Sequence, residues 1–288
     1  MYWEGREETS HVEDRRSFGS GTGVAVGGGS VIVLLLALLL GGDPQRLIQF
    51  WQAHGPAPAA RTSRRPDPAE QRLASFTKVI FRDTEIIWEE QFRRLGRQYL
   101  KPTLVLFSGH VSSACGSADA AVGPFYCPGD HRVYIDLSFY RDMERQLHAP
   151  GEFARAYVIA HEVGHHVQTL LGYTRQVDEA RRRLGRHHPE INRLSVRLEL
   201  QADFLAGVWA HHGQKKFRFL EPGDVESALN AAFQIGDDRL QKRARGYVVP
   251  DSFTHGTSRQ RQRWFLEGFQ TGDVRRAALL FELPYDQL

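Results

Sequence analysis

Cysteine is nearly absent from this chain: two residues, Cys115 and Cys127, in 288. No C-x-x-C pair occurs, so a zinc ribbon or finger held by thiolates is excluded. The net charge is only +3, and the basic clusters at Arg181 to Arg183 and Lys242 to Arg245 alternate with acids. No nucleic-acid module accompanies them, and they read as solvated helix faces, so no nucleic-acid partner is expected. No internal repeat or long low-complexity tract is present. The glycine-rich stretch Gly19 to Gly29 lacks the lysine that a phosphate loop requires.

Charge is also missing from one whole stretch, Ser17 through Gly42. Within it Val24 to Leu40 ends in V-I-V-L-L-L-A-L-L-L-G-G, long enough to cross a ~30 Å hydrocarbon core as a helix. The expectation is one transmembrane helix over 24–42; a cleaved signal peptide is the rival, but the run lies late and lacks a small-x-small cleavage site. Arg6, Arg15 and Arg16 precede it and only Arg46 follows closely, which places the N-terminus inside. The organisation expected is therefore a cytoplasmic segment at 1–23, the span at 24–42, a Pro- and Ala-rich linker at 43–69, and one globular domain at 70–288.

The loop between the two cysteines is rich in Gly, Ser, Ala and Pro and could fold back on itself. A Cys115–Cys127 disulfide is the preferred reading, and it requires an oxidising compartment; two unpaired thiols in a cytosolic domain are the alternative. With the disulfide, the chain reads as a single-pass membrane protein whose globular domain is extracytoplasmic.

The chemistry is concentrated in A-Y-V-I-A-H-E-V-G-H-H-V-Q, Ala156 to Gln168. His161 and His165 stand four residues apart with Glu162 between them, the H-E-x-x-H arrangement. On a helix this spacing puts two imidazoles on one face, near enough to ligate one ion, with a carboxylate beside it to take a proton from water. Apolar residues at helical spacing precede the motif, and Pro150-Gly151 breaks the chain upstream, as suits a buried active-site helix. A catalytic zinc takes a third protein ligand. Glu199 is the best candidate, in the amphipathic run R-L-E-L-Q-A-D-F-L-A-G-V-W-A, with Asp203 one turn on to accept a ring N–H of a ligand histidine. Solvated helix charges are the plainer reading of that pair. His166 is a weaker rival ligand, since it projects about 100° away from the metal-facing stripe.

The string H-E-V-G-H-H-V-Q, then E-L-Q-A-D, G-D-D-R-L-Q and S-F-T-H-G-T-S-R-Q-R, resembles the YpfJ-like family of neutral zinc metallopeptidases of bacteria. The resemblance covers most of the chain, including the A-C-G…G-P-F-Y-C-P stretch. It implies one Zn2+ per chain held by His161, His165 and Glu199, with Glu162 as general base. Phe204 stands where relatives are expected to carry cysteine, so a second disulfide is missing here. H-G-T-S-R-Q-R also resembles the T-H-P-x-x-x-x-R segment of membrane-bound metallopeptidases, which implies that His255 steadies an oxyanion; a loop histidine or helix-cap partner is the plainer reading. Arg261 reads as a structural or carboxylate-pairing arginine and not a catalytic one.

The expected fold is α+β, a mostly helical zincin-like domain with a small sheet. Helices are expected at 71–99, 157–171, 178–184, 191–211, 224–233 and 258–270, and strands at Thr103 to Phe107 and Arg132 to Asp136. The expected function is a membrane-anchored zinc peptidase acting on peptide or protein substrates. A catalytically weak metal-binding scaffold is the alternative, and a hydrolase of other amide bonds shares the same site.

Overall fold

The computed structural model describes residues 1–16, 68–119, 123–185 and 188–288. The fold is α+β and mostly helical. Helix α1 (Pro68–Arg94) leads into strands β2 (Thr103–Phe107) and, further on, β6 (Arg132–Asp136), with the boundaries that their branched residues imply. Before α1 comes a short strand β1 (Val12–Asp14); between β2 and β6 lie β3 (His110–Ser113), β4 (Gly116–Asp119) and β5 (Phe125–Cys127). The main sheet has the order β1-β2-β6-β5, with β1 and β2 parallel, β2 and β6 parallel, and β5 antiparallel to β6. Strands β3 and β4 form a separate hairpin.

Alternation along the strands divides the sheet between two apolar clusters. Leu104, Leu106, Val133 and Ile135 face the main core, which the helices cover. Val105, Phe107 and Tyr134 face a smaller cluster with Val111 and Cys127 under the hairpin. There Cys115 and Cys127 are joined in a disulfide, with Cα atoms 5.8 Å apart, tying the hairpin to β5.

The remaining helices are α2 (Phe139–Arg145), α3 (Glu152–Leu171), α4 (Tyr173–Leu184), α5 (Pro189–Phe217), α6 (Asp224–Gln234), α7 (Asp237–Arg245), α8 (Ser258–Thr271) and a last turn, α9 (Leu279–Glu282). Helix α3 is bounded by Gly151 and Gly172, both at positive φ, and α8 begins with a capping box between Thr257 and Gln260. Helices α5 and α8 cross with almost no gap. A Cβ on Gly268 would sit 2.0 Å from the Phe204 carbonyl oxygen, and one on Gly207 would sit 2.1 Å from that of Phe265. Phe204 is fully buried at this crossing and packs edge-on against Trp264.

The N-terminal residues depart from the expected organisation. Residues 1–16 pack on the domain instead of standing apart from it. Trp3 meets Phe76 edge-on at 5.4 Å, Arg6 pairs with Asp83 at 2.9 Å, and β1 completes the sheet beside β2. Arg16 then pairs with Glu70 at 3.1 Å, so the chain leaves and re-enters this body at neighbouring points. The expected span at 24–42 and nearly all of the linker lie outside the described residues; Pro68 and Ala69 open α1. Among the described residues no helix is long and apolar enough to cross a membrane. Residues 1–16 and 68–288 thus form one packed body.

Single cysteines at exposed Tyr2 and exposed Tyr247 should therefore react with a membrane-impermeant maleimide in intact cells either both or neither. Labelling of only one would show that the N-terminal segment does not dock as described.

Candidate metal centre

Helix α3 presents His161 and His165 one turn apart, with ring centroids separated by 4.8 Å and planes at 88°. Helix α5 brings Glu199 between them: Oε2 lies 3.2 Å from His161 Nε2, and Oε1 lies 3.5 Å from His165 Nε2. All three ligand atoms fall within 4.8 Å of one another. Tetrahedral donors at zinc distances stand roughly 3.3 Å apart, so the residues present fit the ion. The close approach of the two helices depends on Gly164 inside the motif, where a Cβ would lie 3.0 Å from the Ala202 carbonyl oxygen.

Each histidine is oriented through its other nitrogen. His161 Nδ1 donates to Asp203 Oδ1 at 2.8 Å, and His165 Nδ1 donates to Gln168 Oε1 at 2.9 Å. Gln168 is itself held by its donation to the Leu198 carbonyl at 2.6 Å. These bonds leave Nε2 of both rings for the metal and fix their tautomers. Asp203 is completely buried and also accepts from Tyr157 Oη at 2.5 Å and from Arg261 at 2.7 and 3.0 Å. Burial alone would push its pKa up; Arg261 and then His161 outweigh this and hold it below the ordinary carboxylate value. Burial would likewise lower the pKa of His161, yet Asp203 and Glu199 push it up to about 10. The site thus carries an excess of negative charge that a divalent cation would neutralise in place of that proton.

Glu162 is buried beside the ligands and hydrogen-bonded by the backbone N–H of Tyr126 in β5. Burial, reinforced by Glu199, pushes it up to about 7 against the opposing pull of His161. His166 is turned away from the metal group: its Nε2 donates to the Leu100 carbonyl at 2.6 Å, and its Nδ1 lies 3.0 Å from the Tyr126 hydroxyl. His255 lies on the turn before α8 and lines the same cavity as His161, Glu162, His165 and Glu199. That cavity, of about 660 Å³, continues into an apolar chamber walled by Phe139, Met143, Leu147, Val158, Ile235 and Leu240.

The structure thus groups His161, His165 and Glu199, with Asp203 and Arg261 behind His161. The family model described as Putative neutral zinc metallopeptidase matches residues 1–278. The chain belongs to that family. It is 48% identical to the uncharacterized protein YpfJ of Escherichia coli (strain K12) over 280 residues, 95% of this chain and 96% of the relative. It is 42% identical to the uncharacterized protein Rv2575 of Mycobacterium tuberculosis (strain ATCC 25618 / H37Rv) over 185 residues, 61% of each. No solved structure matches.

Three residues that shape this candidate metal centre escaped the sequence reading. Gln168 and Tyr157 lie on the motif helix itself, three residues after His165 and four before His161, and so on the metal-facing side. The same spacing argument that selected the histidines reaches them. Tyr126 carries no such signal, because its role comes from a backbone N–H on a three-residue strand.

Replacing Asp203 by Asn should weaken zinc binding by about 10–100-fold, and Gln168→Ala should give the smaller loss. Competition with a zinc chelator measures both. Wild-type affinity in Asp203→Asn would remove Asp203 from the support of His161.

Proposed function

We propose that this chain is a zinc-dependent peptidase that hydrolyses peptide bonds without a covalent intermediate. One ion is held by His161, His165 and Glu199. The observation that carries this reading is the placement of a buried carboxylate, Glu162, next to a two-imidazole, one-carboxylate donor set at the mouth of a cavity. When bound, zinc polarises a carbonyl and acidifies water. Glu162 takes the proton of the attacking water and delivers it to the leaving amine, a task suited to a carboxyl lifted towards neutrality. His255 lines the same cavity and would donate to the oxygen on which charge develops. Asp203, Gln168 and Arg261 hold the ligands in place.

The walls of the cavity suggest the kind of side chain it takes. Met143, Leu147, Ile235 and Leu240 offer no charge to pair with, so a charged side chain would lose its hydration there, whereas a bulky apolar one would bury its surface.

We further propose that the protein acts at a membrane, anchored through 24–42, in an oxidising compartment. The disulfide supports that compartment. Because residues 1–16 dock on the domain, we read the N-terminus as lying on the same side as the active site, and the arginine count before the apolar run as the weaker guide to orientation.

On the full-length protein, Glu162→Gln should retain one equivalent of zinc and lose cleavage of casein or a peptide library, while His165→Ala should lose both. Cleavage products of the wild type should place large apolar residues beside the scissile bond. Cleavage surviving in Glu162→Gln would refute the role given to that residue, and a folded wild type that takes up no zinc would sink the site.

A further inference from the structure

His255 is held by a residue remote from the metal ligands. Asp237 opens α7 and is completely buried, yet its carboxylate is spent on residues 254–256. One oxygen, Oδ2, accepts the backbone N–H of Thr254 at 2.7 Å, of His255 at 2.6 Å and of Gly256 at 3.0 Å. The other, Oδ1, lies 3.1 Å from His255 Nδ1. In return the Asp237 backbone N–H donates to the Gly256 carbonyl at 2.9 Å. The turn is pressed onto the start of α7 so closely that a Cβ on Gly236 would meet the Ser258 nitrogen at 2.3 Å. Thr254 Oγ1 also lies 3.0 Å from Nδ1. With Nδ1 engaged on that side and the side chain one-third exposed, the Nε2 edge is what the ring offers to the cavity.

We propose that Asp237 is a positioning residue of the peptidase reaction: it locks the turn at Thr254 to Gly256 and the Nδ1 of His255 together, so that Nε2–H of His255 is aimed at the substrate carbonyl. The inference rests on the peptidase reading given above. A cap for the turn alone would need only one acceptor oxygen, which Oδ2 supplies. The second oxygen does something a cap does not: it accepts Nδ1–H and favours the doubly protonated ring, whose Nε2–H is a charged donor. Asp237 and Glu199 raise the pKa of His255 in the same direction, against burial.

Asp237→Asn separates these two tasks. The three backbone N–H groups require the amide oxygen at the Oδ2 position, which turns the amide NH2 towards His255 Nδ1. Nδ1 must then accept, and the ring becomes a neutral Nε2–H tautomer with the turn intact. Long-range 1H–15N spectra of the metal-free protein should report Nδ1 of His255 protonated in the wild type and unprotonated in Asp237→Asn, with the melting temperature little changed. On the zinc-loaded enzyme the same substitution should lower kcat about 10–100-fold and leave KM within about twofold, since only a donor to developing charge is weakened. Added to His255→Ala, it should cost no more than about a further twofold.

An unchanged ring in Asp237→Asn, or a full additional loss in the His255→Ala background, would overturn the positioning role. These outcomes are separate from failure of the peptidase reading, which would appear as wild type and Glu162→Gln alike in cleavage while the ring of His255 still responds to Asp237.

Discussion

The Asp203 carboxylate is the interaction on which the rest of the site depends. It sits on α5, yet its partners come from two other helices: Tyr157 and His161 on α3, and Arg261 on α8. It is completely buried, and both of its oxygens accept from protein donors. A buried ion pair of this kind contributes little net stability while intact, but loss of one partner costs about 3–5 kcal/mol because the other charge is stranded. That asymmetry favours one mutual arrangement of α3, α5 and α8 over any alternative packing. Both the register of His161 against Glu199 and the angle of its ring then follow. The three helices can approach closely enough only because glycine stands at the contacts, Gly164 against Ala202 and Gly207 and Gly268 at the α5–α8 crossing.

The catalytic half of this arrangement was legible in the sequence because it is written in helical spacing. His161 and His165 are i and i+4, and Glu199 and Asp203 are i and i+4, so each helix declares its own face. Arg261 was read as a carboxylate partner, and the structure pairs it with Asp203. The strands Thr103–Phe107 and Arg132–Asp136 were legible for their branched and aromatic residues. What escaped depends on partners far away in the chain. Val12–Asp14 is a strand only because Leu104 to Leu106 offer it a free sheet edge, and by itself V-E-D carries no β signal. The hairpin of β3 and β4 reads H-V-S-S and G-S-A-D, with Val111 its one branched apolar residue, and its framework is the disulfide more than its propensities. Helix α7 reads D-D-R-L-Q-K-R-A-R, with Leu240 as its one deeply buried apolar side chain, too few for a periodic pattern. The predicted helix to Tyr99 stops at Arg94, ahead of the Leu95-Gly96 turn, where Gly96 takes a positive φ.

Strand β5 joins the covalent framework to the chemistry. Cys127 is held to the hairpin by the disulfide, and Tyr126 beside it gives its backbone N–H to Glu162 and its O–H to His166 Nδ1, with His131 Nδ1 3.0 Å from the same oxygen. The strand is three residues long and pairs only with β6 among the described strands, so its own ladder is slight. The disulfide and the tyrosine contacts supply what the ladder lacks. Glu162 is therefore oriented from two sides, by its place on α3 and by a strand whose position is covalently restrained.

The docked N-terminal residues make both flanks of the apolar run part of the fold. The described chain stops at Arg16 and resumes at Pro68, two points bracketed by the Arg16–Glu70 pair and by β1 in the sheet. Trp3 and Arg6 are wedged against Phe76, Phe217 and Phe219, under the same core that carries α3 and α5. Force on either flank would therefore be borne by the β1–β2 ladder and by α1, whose buried face packs on α3. Under the proposed anchoring through 24–42, both flanks of the run belong to the body that holds the candidate metal centre, so that centre would stay near the anchoring surface.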